Sequence, residues 1–295
     1  MGVLSAIDLH CHSLASDGAL APAEVVARAA ANGVRVLALT DHDTVAGLDE
    51  AGAAAQRHGV ELVPGLELSV TWAGGDLHVV ALGVDPTHPA LTRLLDGQVA
   101  ARDDRAARIA HKLERAGVDG ALNAARAEAG EGAIGRAHFA RALVARGVVD
   151  SHQAAFRRYL ARGRRAYVGS GWVAMTEGVE AIHAAGGRAV LAHPTRYGLT
   201  ATKLSRACTA FAEAGGDGIE VVVGGGGPGD LDAARSRALR LGLTASLGSD
   251  FHEPAQRWRE LGHLRPLPGE LVPVWQGWDR VEALTDARGL ARQAI

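Results

Sequence analysis

The stretch Asp8-Leu9-His10-Cys11-His12 follows a short apolar run and predicts the end of a buried β-strand, Val3–His10. Alternate residues of a strand point to the same side, so His10 and His12 should project together, with Cys11 on the opposite side. Two adjacent imidazoles suit a divalent ion such as Zn²⁺, Mn²⁺ or Fe²⁺. The same pattern fits two histidines on a partly exposed strand equally well, so the rest of the chain must decide.

Composition limits the classes of protein that the chain can represent. Its 295 residues are 47% hydrophobic with a net charge of −2, which suits one large α/β domain, or one domain with an insertion. We expect no membrane partner, because no apolar run approaches the ~20 residues of a membrane span and no signal-peptide pattern precedes the first strand. Cys11 and Cys208 form no disulfide framework, which favours the cytoplasm. Near-neutral charge and 4% aromatic residues argue against a DNA partner.

Predicted strands and helices alternate along most of the chain. The strands after the first are 34–39, 60–70, 77–84, 188–192, 218–223 and 243–247, and the main helices are 23–32, 47–58, 177–185, 202–214 and 230–241. This alternation predicts an α/β fold with a mostly parallel sheet. Between 89 and 167 the sequence is rich in alanine and arginine and predicts helices without a strand. We therefore divide the chain into 1–88, a helical insertion 89–167, and 168–295.

Metal-binding residue types cluster at the predicted carboxyl ends of strands, where sites assemble in α/β folds. Six of the 13 histidines belong to this set. The residues at strand ends are His10, His12, His42, His193, Asp250 and His252, and Glu67 and His78 lie on the third and fourth strands. Surface histidines would not be distributed so consistently, and the pattern indicates a metal site.

Five motifs in order resemble those of the PHP family, the polymerase and histidinol phosphatase domain. They are D-L-H-x-H-S at 8–13, T-D-H-D at 40–43, G-L-E at 65–67, A-H-P at 192–194 and G-S-D-F-H at 248–252. The resemblance covers the chain outside the insertion. It implies a distorted seven-stranded β/α barrel, similar to a TIM barrel, with two or three metal ions at its C-terminal mouth.

The resemblance also implies which residues bind each ion. The first ion would be bound by His10, His12, Glu67 and Asp250, the second by Asp17, His42 and His252, and the third by Glu67, His78 and His193, with Glu67 bridging. Asp17 replaces a histidine found in some members, and this oxygen ligand favours Mn²⁺ or Fe²⁺ over Zn²⁺. Asp8, Asp41 and Asp43 are expected to lie behind the ligands and orient the imidazoles.

Such a centre predicts hydrolysis by a metal-bound hydroxide, without a side-chain nucleophile. The run Gly224–Gly227 is not a phosphate-binding P-loop, because no Gly-Lys-Ser/Thr sequence follows it. It fits either a connecting loop or a place where the backbone approaches a substrate, and both alternatives stay open.

Four arginines outside these motifs are candidates for substrate binding. Arg102 and Arg105 are three residues apart on a predicted helix and share a face, Arg136 precedes His138 in G-R-A-H, and Arg196 follows the A-H-P motif. A guanidinium group binds phosphate through two parallel hydrogen bonds. The alternative for Arg102 or Arg105 is a solvated helix face.

Together, these features resemble the branch of the family that hydrolyses nucleoside 3′,5′-bisphosphates, converting adenosine 3′,5′-bisphosphate to AMP and phosphate. Close relatives in that branch are 5′-3′ exoribonucleases of short RNAs, so the expected partner is a small nucleotide or a short RNA. Histidinol phosphatase is disfavoured because the arginines would repel an amine. Because no polymerase segment is fused to the chain, a proofreading module is disfavoured, and the complete ligand set argues against a non-enzymatic module.

Overall fold

The strands occur close to where the sequence predicts them. The computed structural model describes residues 5–73, 75–130 and 132–289, the last four by backbone alone. Residues 3 and 4 of the predicted first strand lie outside the described residues. The strands are β1 (Ile7–Asp8), β2 (Val36–Leu39), β3 (Glu61–Trp72), β4 (Gly75–Leu82), β5 (Val173–Ala174), β6 (Arg188–Leu191), β7 (Gly218–Val223) and β8 (Thr244–Gly248).

Helices connect most of these strands. They are α1 (Pro22–Ala31), α2 (Leu48–His58), α3 (Pro89–Glu114), α4 (Ala121–Ala129), α5 (Arg136–Ala145), α6 (His152–Ala155), α7 (Met175–Ala184), α8 (Ala201–Glu213), α9 (Pro228–Leu241) and α10 (Asp279–Gly289). Helices α3 to α6 occupy most of the segment that the sequence predicts as an insertion. In the described part of the chain, no helix is long and apolar enough to cross a membrane.

Local chemistry explains where α1 begins and where α2 ends. Pro22 begins α1, where a missing N–H costs nothing, and the Glu24 carboxylate accepts a hydrogen bond from the Ala21 N–H at 2.8 Å. Helix α2 ends at His58 and is followed by Gly59, whose φ of 65° is left-handed and easily adopted only by glycine. These two helices place the following strands β2 and β3 side by side.

The sheet closes into a barrel. Its strand order is β1-β2-β3-β4-β6-β7-β8, and β5 pairs with β3 outside this path. At the two ends of this order, the Leu9 N–H after β1 donates to the Leu247 carbonyl of β8 at 3.1 Å, and the His12 N–H donates to the Phe251 carbonyl at 2.9 Å. The predicted distorted seven-stranded β/α barrel is confirmed.

The sheet is mostly parallel, as the sequence predicts, and the exception is β4, which runs antiparallel to both β3 and β6. Strand β3 ends at Trp72 and β4 begins at Gly75, so this connection is too short for the helical crossover that a parallel pair requires. The antiparallel register places His78 opposite Ser69, two residues from Glu67.

Separate hydrophobic clusters stabilise the barrel and the insertion. The largest packs β3, β4 and β6 against α7 and α8, with Leu68 and Phe211 fully buried. A second cluster consists of residues between Ala106 and Val168 and includes the buried Phe139. Most of the segment that the sequence predicts as an insertion therefore shares a hydrophobic core of its own.

The closing edge of the barrel predicts a sharp intolerance to added volume. A methyl group at Gly248 would overlap the His10 Cβ atom and lie 2.9 Å from Glu220 Oε1. Gly248→Ala should lower the free energy of unfolding by about 1–3 kcal/mol, as overpacking does elsewhere. Gly52→Ala, inside α2, is the matched control, since its methyl group would meet only Leu62 Cδ2 at 4.0 Å. Urea denaturation should show no loss for the control, and equal losses for both variants would contradict the packing argument.

Candidate metal centre

The first cluster lies where the ends of β1 and β8 meet the middle of β3. The Nε2 atoms of His10 and His12 are 3.1 Å apart, and each is 3.2 Å from Glu67 Oε2. Asp250 Oδ1 is 3.3 Å from His12 Nε2 and 3.7 Å from His10 Nε2. All four side chains are buried. Their ligand atoms lie within 4.8 Å of one another, close enough to surround one ion.

The second cluster has an oxygen atom among three imidazoles. Asp17 Oδ1 lies 3.3 Å from His252 Nε2 and 3.9 Å from both His42 Nε2 and His12 Nδ1. The sequence predicted Asp17, His42 and His252 here. The structure brings His12 to this cluster as well, because its two ring nitrogens face the two clusters.

The third cluster shares Glu67 with the first. Glu67 Oε1 lies 2.9 Å from His78 Nδ1 and 2.7 Å from His193 Nε2. The group compact enough for one ion contains His42, Glu67 and His78. The sequence predicted His193 in the place of His42, and the structure puts both imidazoles against Glu67.

The donor atoms of these clusters fit divalent ions. Buried polar atoms are almost always hydrogen-bonded, yet five here have no hydrogen-bond partner among the described residues: His12 Nδ1, Asp17 Oδ1, His42 Nδ1, Glu67 Oε2 and His193 Nδ1. They belong to neighbouring clusters and combine imidazole nitrogen with carboxylate oxygen, a set that suits Zn²⁺, Mn²⁺ or Fe²⁺.

Electrostatics favour the protonation states that metal binding needs at two of these carboxylates and one imidazole. Burial alone would raise the pKa of Glu67 and of Asp17, but the surrounding histidines hold both pKa values well below the usual range. Burial lowers the pKa of His42 to about 3 and keeps its ring neutral. Ionised carboxylate and neutral imidazole are the forms that bind a metal ion.

Backbone strain is concentrated at this mouth. Within the described ranges, Asp43, His193 and Asp250 are the non-glycine residues with positive φ, at 52°, 26° and 54°. Each follows the carboxyl end of a strand. Such conformations persist only where the surroundings enforce them, and they occur preferentially at functional sites.

Two of the three aspartates expected to orient imidazoles hold loops instead. Asp8 accepts hydrogen bonds from the Ser249 N–H at 2.8 Å and the Gly262 N–H at 3.0 Å. Asp41 accepts from the Ser13 hydroxyl and the Ser16 hydroxyl, each at 2.6 Å. Both carboxylates therefore fix the segments that carry the ligands, without touching the rings.

Asp43, the third of these aspartates, anchors the insertion to the barrel. It accepts hydrogen bonds from the Ser69 N–H at 2.6 Å and from Gln98 Nε2 at 3.0 Å, and it forms a buried ion pair with Arg102. Because α3 supplies Gln98 and Arg102, this carboxylate ties α3 to the segment that follows His42.

Sequence reasoning missed Glu220, which does orient an imidazole. Its Oε1 atom lies 2.8 Å from His10 Nδ1, and its Oε2 atom accepts from the His193 N–H at 2.5 Å. A carboxylate behind a metal-binding histidine fixes the ring and its tautomer. The available signal was a single glutamate inside the apolar strand Gly218–Val223, since a buried charge needs a partner.

Three of the four candidate arginines, Arg102, Arg105 and Arg136, line one small recess between α3, α5 and Trp172. This recess is here called the arginine recess. The guanidinium groups of Arg102 and Arg105 lie 5.1 and 5.0 Å from the Trp172 ring. Burial lowers the pKa of Arg105 to about 10, and Arg136 acts in the same direction. Arg105 Nη2 is buried without a hydrogen-bond partner among the described residues. A cluster of this kind suits an anion.

Arg196 lies apart from the arginine recess. Its guanidinium binds the Asp250 carboxylate and the Gly224 carbonyl, and Arg259 Nη1 also lies 3.1 Å from Asp250 Oδ2. The structure therefore connects Arg196 to a candidate ligand and to the glycine run.

The glycine run is explained at two positions by close packing. A methyl group at Gly224 would overlap the Ser249 carbonyl. Gly225 has a φ of 74°, and its methyl group would lie 2.8 Å from Trp258 Cδ1. Backbone proximity to β8 and to Trp258 accounts for both glycines.

Comparison with known proteins identifies the family. Residues 8–161 match the PHP domain. The chain is 46% identical over 269 residues to the 5′-3′ exoribonuclease of Haemophilus influenzae, covering 91% of this chain and 97% of that relative. It is 44% identical over 271 residues to the 3′,5′-nucleoside bisphosphate phosphatase of Chromobacterium violaceum, covering 92% and 95%. The chain belongs to the PHP family.

A solved structure supports the same conclusion. An amidohydrolase from Chromobacterium violaceum, with bound sulfate and no metal, superposes with a TM-score of 0.88 at 42% identity. The match covers 94% of this chain and 96% of that chain. Barrel and insertion are therefore both part of the shared fold.

Glu220 provides a direct test of the site. Glu220→Gln retains the shape but removes the charge behind His10, so the affinity for Mn²⁺ should fall by about 10–100-fold. Isothermal titration of metal-free protein measures this affinity. Glu180→Gln, an exposed glutamate on α7, is the control and should bind Mn²⁺ like the wild type. Unchanged affinity in the Glu220 variant would show that this carboxylate serves only the fold.

Proposed function

We propose that this protein is a metal-dependent phosphoesterase that removes the 3′-phosphate from nucleoside 3′,5′-bisphosphates. Adenosine 3′,5′-bisphosphate would yield AMP and phosphate. The proposal is supported by membership of the PHP family and by the similarity to a bisphosphate phosphatase. The observation that carries it is a set of buried, unpartnered metal-ligand atoms at the barrel mouth, which the Asp43–Arg102 ion pair connects to the arginine recess.

Nine residues would bind two or three divalent ions, with Mn²⁺ the preferred one. They are His10, His12, Asp17, His42, Glu67, His78, His193, Asp250 and His252. Glu67 would bridge, since Oε1 faces His78 and His193 while Oε2 faces the other rings. When bound, such ions supply a water of lowered pKa and offset the negative charge of the phosphoryl group.

The protein groups around this centre position and protect it. The Glu220 carboxylate fixes the tautomer of His10, leaving Nε2 free to face Glu67. Cys11, although adjacent to two ligands, is not a nucleophile, because burial raises the pKa of its thiol and Sγ donates to the Ala38 carbonyl. The arrangement therefore favours attack by water over a covalent intermediate.

The arginine recess would bind the second phosphate of the substrate. Arg105 and Arg136 lie near one another, and burial lowers the pKa of both. Two buried guanidinium groups placed side by side favour the binding of an anion. Arg102 is paired with Asp43 and would contribute from one side of the recess. Arg196, through its contact with Asp250, would act at the phosphate nearest the ions.

A 5′-3′ exoribonuclease acting on short RNAs is the second candidate function. The Haemophilus influenzae relative carries that name at 46% identity. The same two features, ions at one phosphate and arginines at the other, would serve both substrates. Phosphate or nucleotide release from adenosine 3′,5′-bisphosphate, 3′-AMP, AMP, histidinol phosphate and a 5′-phosphorylated short RNA separates the alternatives.

Metal removal tests the class of enzyme. Chelation should abolish hydrolysis of adenosine 3′,5′-bisphosphate, and added Mn²⁺ should restore it. His10→Ala and Asp250→Ala should remain inactive after Mn²⁺ is added, because each lacks a ligand of the first cluster. Metal analysis of the purified protein should find two or three ions per chain. Full activity in the stripped sample would contradict the proposal.

Arg136→Ala tests the substrate. A charge-assisted hydrogen bond contributes about 1.5–3 kcal/mol, so kcat/KM for adenosine 3′,5′-bisphosphate should fall about 10–100-fold. Hydrolysis of a small aryl phosphate, which has no second phosphate, should change less than about threefold on the same scale. Arg105→Ala should show the same asymmetry.

Two further variants make this comparison specific. Arg102→Ala should lower kcat/KM for both substrates, because it also leaves the Asp43 carboxylate unpaired beside His42. Arg157→Ala, an exposed arginine of the same insertion, should match the wild type on both. If Arg136→Ala lowered kcat/KM equally for the two substrates, the arginine recess would not be a second-phosphate site. The protein would then be a phosphoesterase of unassigned substrate.

A further inference from the structure

The segment 13–18, here called the Asp17 loop, carries a candidate ligand at its end. The Gly18 N–H donates to the Ser13 carbonyl at 2.9 Å, and a methyl group at Gly18 would lie 2.6 Å from the His12 carbonyl oxygen. Asp41 holds the beginning of the loop through Ser13 and the Ser16 hydroxyl. The barrel therefore fixes the loop up to Ser16.

Asp17 is held mainly through its backbone. Its Oδ1 atom is buried without a hydrogen-bond partner among the described residues and faces the His252, His42 and His12 rings. A carboxylate that is not held by hydrogen bonds to this oxygen depends on its backbone for its direction. Part of the support for that backbone comes from the insertion, in addition to the hydrogen bond from the Ala19 N–H to the His252 carbonyl at 2.8 Å.

Helix α5 binds the far end of the Asp17 loop. Arg141 Nη1 donates a hydrogen bond to the Asp17 carbonyl at 3.1 Å, and the same guanidinium lies 3.8 Å from the Glu128 carboxylate on α4. The preceding segment also packs on the loop, since a methyl group at Gly132 would lie 2.7 Å from the Leu14 carbonyl oxygen and 3.0 Å from that of Ser16.

His138 adds a second connection from α5. The residue is 1% exposed, and its Nδ1 atom accepts a hydrogen bond from the Gly135 N–H at 2.9 Å. Burial lowers the pKa of His138 to about 4, with Arg141 acting in the same direction and a hydrogen bond to the Ser16 backbone opposing it. A neutral ring that accepts at Nδ1 carries its proton on Nε2, which leaves Nε2 as the nitrogen available to the Ser16 backbone.

We propose that His138 and Arg141 are positioning residues that aim Asp17 at the second cluster and thereby set the affinity of that cluster for its ion. The insertion would then have two functions, since it lines the arginine recess and also completes a metal site. The inference rests on the proposed function only in requiring that the second cluster bind a divalent ion.

Metal titration of the intact protein tests this inference without relying on turnover. Mn²⁺ is titrated into metal-free wild type, Arg141→Ala, His138→Phe and Gly132→Ala, with Asp17→Ala as the reference for loss of the site. In the three test variants, the dissociation constant of one ion should rise by about 10–100-fold, and those of the others should stay within about threefold. Asp17→Ala should lose the same ion.

Conservative variants separate positioning from folding. Arg141→Lys and His138→Gln keep a donor toward the Asp17 loop and should recover part of the affinity that Arg141→Ala and His138→Phe lose. Arg157→Ala, exposed in the same insertion, should bind every ion like the wild type. Melting temperatures of all variants show whether the fold is intact, and Gly132→Ala perturbs the loop without touching α5.

Two results would overturn the inference. One is Mn²⁺ binding in all three test variants that matches the wild type. The other is equal weakening of every ion together with a lowered melting temperature, which would show a purely structural role. Neither result contradicts the proposed function, provided that the wild type binds ions and that Asp17→Ala loses one of them. Absence of Mn²⁺ binding by the wild type would instead contradict the proposed function.

Discussion

The Glu67 carboxylate is the group on which the barrel mouth depends. It is fully buried on β3, and five imidazoles surround it: His10, His12 and His42 at Oε2, and His78 and His193 at Oε1. A buried ionised carboxylate is strongly unfavourable unless it is paired or coordinates a metal. The segments that follow β1, β2 and β6 must therefore converge with β4 on this residue, and that requirement explains why the closed barrel and the site cannot be separated.

Convergence on Glu67 also accounts for the irregular sheet. His78 lies beside Glu67 because β4 runs antiparallel along β3. A parallel neighbour would have required a long crossover connection between the two strands. The strained backbones of His193 and Asp250 aim the end of β6 and the segment after β8 at the same point. Local conformational energy is used where several elements must direct side chains into one small volume.

Much of this could be predicted from the sequence, because the signals were local. Apolar runs located the strands, proline and glycine marked the helix ends, and histidines at strand ends indicated the site. The direction of β4 required attention to the length of one connection. The bond from Arg102 to Asp43 and the bond from Arg141 to the Asp17 carbonyl join residues far apart in sequence, so periodicity could not reveal them. Glu220 left a readable signal, a charge within a buried strand.

The two oxygens of Asp250 connect the metal centre to the rest of the mouth. Oδ1 faces His10 and His12, whereas Oδ2 binds Arg196 and Arg259. The two cations offset part of the negative charge of the buried carboxylates, so ions at the clusters need to balance only the remainder. Arg196 also binds the Gly224 carbonyl, and Gly224 can approach β8 only because it lacks a side chain. The glycine run and Arg196 thus belong to one device, which holds a candidate ligand while leaving its inner oxygen free to bind.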